Sequence, residues 1–202
     1  PVQVNIFNGA ASEFADAIDW AWRNGADVIN NSWTFTFCTT NENFYPAIKN
    51  VIDSAVTKGR GGKGAVVVFS GGDTREGPTG TTCILYPSII PEVITVGAIS
   101  ARGLLPDYVR YGSEMDLVSV SAPDQSLNNV TIVDRMGNLG YNTDTTSTLN
   151  HTDRNYSMWF GGTSASSATV SGVAALVLSV NPELTYTEVS NLLTQNATPV
   201  GG

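Results

Sequence analysis

The run Gly161-Gly162-Thr163-Ser164-Ala165-Ser166-Ser167-Ala168 places a serine where a long helix of small residues opens. The first N–H groups of a helix have no intrahelical partner, and the helix dipole favours negative charge beside them. A serine hydroxyl in that position has an oxyanion donor next to it, which is half of what acyl transfer requires. Small neighbours let a substrate backbone approach. The same run also reads as a plain serine N-cap before an alanine-rich helix, since Ser is among the preferred caps. It is not the strand-to-helix nucleophile elbow G-x-S-x-G, because Ser166 stands where that motif needs its second Gly. His151 is the one histidine of the chain. It lies in the polar run Asn150-His151-Thr152-Asp153, and the ordinary reading of such a residue is a solvated loop histidine.

These residues need a scaffold. Val2–Phe7 alternates apolar and polar positions and reads as a strand. Ser12–Arg23 repeats Phe14, Ala17, Ile18, Ala21 and Trp22 at helical spacing, with Asn24-Gly25 as its stop. Asp27–Trp33 reads as the next strand and Phe44–Lys58 as a second amphipathic helix ended by Gly59. Ala65–Phe69 is apolar throughout and Val93–Ile99 nearly so, as strands buried on both faces of a parallel sheet are. Met115–Val120 reads as a further strand. Positions 123–160 are rich in Asn, Thr, Ser, Asp and Gly and read as long loops or a hairpin excursion. Ser164–Val180 is a helix of small apolar residues broken at Asn181-Pro182. Thr185 and Glu188 form a capping box that opens a last helix through Gln195. This alternation predicts an α/β layer architecture with parallel pairing.

Composition narrows the function classes. The chain has 202 residues, 42% hydrophobic and 14% charged, which suits one globular domain. Its net charge is -8 and no basic stretch is present, so nucleic-acid binding is not expected. The longest runs of consecutive apolar residues, such as Ala65–Phe69, fall short of the ~20 that span a bilayer, so no membrane span is expected. Pro1-Val2-Gln3 has neither Met nor a basic start. It does not read as a signal peptide, and the chain reads as cut from something longer. Cys38 and Cys83 leave a single disulfide and two separate buried thiols both open.

Gly162-Thr163-Ser164-Ala165-Ser166, continuing through Val170, Gly172, Ala174, Ala175 and Leu176, resembles the nucleophile segment of the subtilisin-like serine proteases, or subtilases. Collinear segments extend the resemblance from about Val2 to Leu193. Asn24–Ser32 looks like the passage into the substrate-binding strand, and Val66-Val67-Val68 through Gly72-Asp73 like the oxyanion strand. Tyr86-Pro87, Pro91, Val93–Ala98, Gly112–Leu117 and Ala122-Pro123 follow in order. The resemblance implies an α/β fold: a three-layer parallel sheet of subtilisin-like type, with the N-terminal strands and helices absent from this chain. Residues 1–202 would then be the C-terminal portion of a catalytic domain. Ser164 would be the nucleophile and its own N–H an oxyanion donor. Ser32, Trp33 and Thr34 would pair with an extended polypeptide substrate, and Ser70, Gly71 and Gly72 would line the first specificity pocket.

The departures from that pattern matter as much. Asp73 stands where the family usually has an oxyanion Asn, although some kexin-like relatives carry Asp. An ionised carboxylate cannot donate and repels an oxyanion; losing one such donor costs about 10²–10³ in turnover. Thr34 replaces a common Gly, and Ala168-Thr169 replaces Pro-His. The family's catalytic Asp and His precede the segment where this chain begins, and the base is not transferred to His151. The strand bearing that Asp would lie between those resembling Val2–Phe7 and Asp27–Trp33, so its loss opens a gap in mid-sheet. The leading expectation is therefore a serine endopeptidase completed by an N-terminal companion chain or fragment. The alternative is a catalytically inactive binding or structural module. The resemblance also implies secretion, loop calcium without any required cofactor, and proximity of Cys38 to Cys83. N-glycosylation sequons occur at Asn30, Asn129, Asn150, Asn155 and Asn196. Of these, Asn30 lies in a predicted buried strand and is the least suited.

Overall fold

The computed structural model describes residues 9–73, 83–122, 130–143 and 151–200. The predicted strand Val2–Phe7 and the sequons at Asn129 and Asn150 lie outside them. Helix α1 (Ala11–Arg23) buries Phe14, Ala15 and Ile18. Strand β1 (Val28–Asn31) leads to α2 (Pro46–Gly62), whose backbone leaves helical geometry at Gly59, where the sequence places its stop. Strands β2 (Val66–Ser70), β3 (Ile94–Ser100) and β4 (Leu117–Ala122) follow. The four strands form one parallel sheet in the order β1-β2-β3-β4. Within the polar stretch, β5 (Val130–Val133) and β6 (Tyr156–Phe160) pair antiparallel, which is the hairpin excursion. Helices α3 (Gly162–Val180) and α4 (Tyr186–Gln195) complete the described chain.

The alternation of side chains along β2 builds two cores. Val67 and Phe69 face α1 and α2, in a cluster with Phe14, Ile18, Ile48, Ile52, Tyr86 and Ile90. Val66 and Val68 face α3 and α4, with Ile94, Val96, Val170, Ala174, Leu178 and Val189. Layers of helices thus cover both faces of the sheet, as parallel strands require. The capping box forms as predicted: Glu188 N–H donates to Thr185 Oγ1 at 3.3 Å, and Thr185 N–H donates to Glu188 Oε2 at 2.8 Å. Those donors at Thr185 hold the Glu188 carboxyl below its ordinary value.

Two details differ from expectation. β1 stops at Asn31 rather than Trp33, because its partner β2 ends at Ser70 and the chain turns away at Gly71-Gly72. α3 has 19 residues and a mean hydropathy of 1.4, long and apolar enough by length and composition to cross a bilayer. Short runs of consecutive apolar residues hide that property, because Ser, Thr and Gly interrupt them. In this fold α3 packs on the sheet through Val170, Ala174 and Leu178.

Candidate active site

Helix α3 starts two residues before Ser164. Its N-cap is Gly161, so Ser164 is the third residue of the first turn, and the N-cap reading of Ser164 does not hold. Gly162 has φ +71°, the left-handed region. A Cβ there would lie 2.5 Å from Asp73 Oδ2, so the backbone favours glycine and any side chain would displace the Asp73 carboxylate. The Ser164 hydroxyl donates to the Ser32 carbonyl at 3.3 Å. In return the Ser32 hydroxyl donates to the Ser164 carbonyl at 2.8 Å and lies 3.0 Å from Ser167 Oγ. The carboxy end of β1 and the first turn of α3 are therefore fastened to each other at Ser164.

Asp73 closes the other side. Its Oδ1 accepts from Thr163 N–H at 3.3 Å and from the Thr163 hydroxyl at 3.0 Å. Thr163 itself is buried. Asp73 thus stands at the mouth of α3 on the residue before Ser164, with Oδ2 over Gly162. Ser70, Gly71 and Gly72 are buried behind it. Ser70 C=O accepts from the Ser88 hydroxyl at 2.6 Å, and Gly71 N–H donates to Val96 C=O at 2.9 Å. Gly72, at φ +95°, carries Leu85 where a Cβ would stand, with Cδ1 at 2.6 Å. The structure brings Ser32, Asp73 and Ser164 together at the carboxy ends of β1 and β2, the end of a parallel sheet where ligands bind in open α/β folds.

Trp33 and Thr34 extend beyond the end of β1. The half-buried Trp33 ring packs against the core, 4.4 Å from Phe14 and 5.2 Å from Phe69 between centroids. His151 is less exposed than a solvated loop residue. Its Nδ1 is buried, its ring lies 5.3 Å from Tyr156, and its carbonyl accepts from Asn142 Nδ2 at 2.8 Å. Asn30, expected to be buried, is exposed on β1, yet its amide donates to Ser32 Oγ at 2.9 Å and accepts from Ser171 at 3.1 Å. Asn155 is exposed, and its side-chain carbonyl accepts from Gly137 N–H.

Sequence reading missed the groups that seat this turn. Ser121 and Ser166 are buried, with hydroxyls 2.6 Å apart. Ser166 donates to Ser119 C=O at 2.9 Å, and Ser121 reaches Gly162 C=O at 2.6 Å. Two hydroxyl hydrogens serve three contacts, so the Ser121 hydrogen goes either to Gly162 C=O or to Ser166. Ser166 was visible inside the nucleophile run; Ser121, 45 residues away, carried no local signal. Cys38 and Cys83 form a disulfide, which decides between the two readings of those cysteines. A groove of about 670 Å³ lies elsewhere, between β4 and residues 197–200, lined by Ile99, Met115, Leu117, Val120, Pro199 and Val200 among others. None of the predicted site residues lines it.

The model of the subtilase family matches residues 2–202. The chain belongs to the subtilase family. It is 33% identical over 203 residues to the "Calcium-dependent protease" of Trichormus variabilis, covering 93% of this chain and 30% of that protein. It is 31% identical over 194 residues to subtilisin DY of Bacillus licheniformis, covering 96% of this chain and 58% of that protein. Among solved structures, a protease of Pseudoalteromonas arctica aligns with a TM-score of 0.70 at 25% identity, covering 96% of this chain and 53% of that one. The prenylagaramide maturation protease PagA, at 20% identity and a TM-score of 0.69, shares the fold. The subtilase spans less than two thirds of each of these relatives. The family is one of serine endopeptidases, and the parallel sheet between helical layers is its α/β fold. Among the described residues no group of three His, Cys, Asp or Glu side chains could hold a metal ion.

Proposed function

We propose that this chain is the nucleophile-bearing part of a subtilisin-like serine endopeptidase, completed by a companion segment that carries the catalytic Asp and His. The observation that carries the reading is the seat of Ser164: third residue of α3, its hydroxyl on Ser32 and the neighbouring Thr163 held by Asp73. In that reading an extended polypeptide lies along Ser32–Thr34. Ser164 Oγ bonds to the scissile carbonyl carbon while its proton passes to the companion's base. The leaving amine takes that proton as the C–N bond breaks, and water then hydrolyses the acyl-serine. In the first turn of α3 the Ser164 N–H faces the developing oxyanion, while the Thr163 N–H is taken by Asp73.

The outer face of α3 supports a companion. Val173, Leu176 and Val180 are exposed there beside Ala168 and Ala175, an apolar stripe on a core helix. The disulfide supports an oxidising compartment and hence a secreted protein. A second reading, a non-catalytic module, is favoured by one observation: Asp73 offers the oxyanion position a carboxylate, which accepts two hydrogen bonds from Thr163.

The test is intact-mass analysis of the purified material followed by a fluorophosphonate serine probe. A second chain and adduct formation on Ser164 are the expected result. Asp73→Asn restores an amide donor, so labelling should accelerate by about 10²–10³. A single species that folds and labels in neither form establishes the non-catalytic module.

A further inference from the structure

Arg110 is 1% exposed, the largest fully buried side chain among the described residues, on the loop between β3 and β4. Its Nη1 donates to the Cys83 carbonyl at 3.4 Å and lies 3.4 Å from Cys83 Sγ and 3.8 Å from Cys38 Sγ. Its Nε donates to the Asp73 carbonyl at 3.4 Å. Its backbone N–H donates to Gly72 C=O at 3.3 Å, and Val109 beside it forms an antiparallel bridge with Asp73. One side chain therefore reaches Asp73 and Cys83 together, and the disulfide forms a wall of its pocket. Burying a guanidinium is costly unless its donors find acceptors, and here Nε goes to the backbone carbonyl of a site residue and Nη1 to that of Cys83.

We infer that Arg110 is a positioning residue for the candidate active site: packed on the Cys38–Cys83 bridge, it holds the Asp73 carbonyl and so sets the Asp73 carboxylate on Thr163, next to Ser164. The contacts run without interruption from disulfide to Arg110, to Asp73, to Thr163 N–H. The inference rests on the proposed roles of Ser164 and Asp73, but its geometric part is testable without activity.

The experiment is amide hydrogen exchange on the full 202-residue chain, read at Thr163, with mid-helix Ala174 and strand residue Val68 as internal references. Asp73→Ala removes the acceptor and should speed Thr163 exchange roughly tenfold or more. Arg110→Lys keeps the charge but not the fork, and should speed it about as much with the references unchanged. The double variant should add nothing further, as expected of residues acting in series. Thr163 exchange unaltered by Arg110→Lys in a folded chain overturns the inference. Should Arg110→Lys not fold, the wild-type chain with its disulfide opened by a dithiol reductant gives the second reading. Faster Thr163 exchange with steady references supports the linkage, and unchanged exchange overturns it. In the endopeptidase assembly, Arg110→Lys should lower kcat and leave KM unchanged. A coupled exchange response without any hydrolysis by the wild-type assembly would leave the positioning geometry standing and remove the catalytic reading instead.

Discussion

The two faces of the central sheet are covered by different chemistry. Towards α1 and α2 the cover is large and apolar: Phe14, Trp33 and Phe35 in mutual ring contact and Phe69 against Trp33, with Ile48 and Ile52 in the same cluster. Towards α3 the cover is small, and hydroxyls do much of the fastening, Ser32 to Ser164, Ser121 to Ser166 and Ser171 to Asn30. Large side chains gain from area removed from water, without direction. Hydroxyl-to-backbone bonds gain less but fix position to a fraction of an ångström. The first face holds the sheet together, and the second places one helix terminus. Their outer surfaces differ as well. On α1 and α2 most large apolar residues turn inward, whereas α3 leaves Leu176 67% and Val180 86% exposed.

The largest effect should come from breaking the aromatic face. Phe69 is 0% exposed, and Phe69→Ala should lower the unfolding free energy by about 3–5 kcal/mol, a large share of a native stability of about 5–15 kcal/mol. Urea unfolding of the chain measures this. A loss under about 1 kcal/mol would mean that the aromatic cluster does not anchor the sheet.

Breaking the hydroxyl face should cost less stability and more placement. Ser166→Ala leaves Ser119 C=O without its donor and frees Ser121 to serve Gly162 C=O alone, which predicts a loss of about 1–3 kcal/mol. Fluorophosphonate labelling of the proposed assembly should fall beyond that stability change, because Gly162 and Ser166 flank Ser164. Labelling unchanged in a destabilised variant would reduce the pair to packing.

This contrast also governs what is legible without the fold. The helices α1 and α4 are legible because their signals are local: Asn24-Gly25 as a stop, Thr185 and Glu188 as a box. The parallel strands are legible because Ala65–Phe69 and Val93–Ile99 are apolar on both faces. Ser164 stands out through its small neighbours. Arg110 does not, because a lone arginine in Asp107–Gly112 reads as surface, and only the approach of Asp73 and Cys83 from 37 and 27 residues away gives its donors partners. The start of α3 is hidden for a related reason. The sequence pattern starts the helix at Ser164, and only the approach of Asp73 to the left-handed Gly162 shows why the helix opens there.

The exposed side of α3 gives a smaller effect in isolation. Leu176→Ser should change the stability of the chain alone by no more than about 0.5 kcal/mol. With a companion bound it should weaken association, by about 1.5–3 kcal/mol if the leucine is fully covered. Titration of labelled companion against both forms measures the difference. Equal affinity would place the companion off this stripe.

Two carboxylates set the sheet against the polar excursion with opposite signs. Burial is the main influence on Asp116 and raises its pKa from 3.8, against the opposing pull of Thr95 N–H, which donates to it at 2.8 Å. Its folded form binds a proton more tightly than the unfolded chain does, so stability falls as pH rises from the unfolded value through the raised one. Asp134 lies in the excursion and accepts N–H groups from Asn142, Arg135 and Tyr141, which lower its pKa from 3.8. Its contribution is present above the unfolded value and is lost as pH falls through the lowered one. Asp116→Asn should therefore flatten the decline on the upper side of about pH 4, and Asp134→Asn the decline below it. Urea unfolding of the three proteins from about pH 3 to pH 7 checks both directions. A stability curve for Asp116→Asn parallel to wild type would mean that the Asp116 carboxyl is as well solvated in the folded sheet as in the open chain.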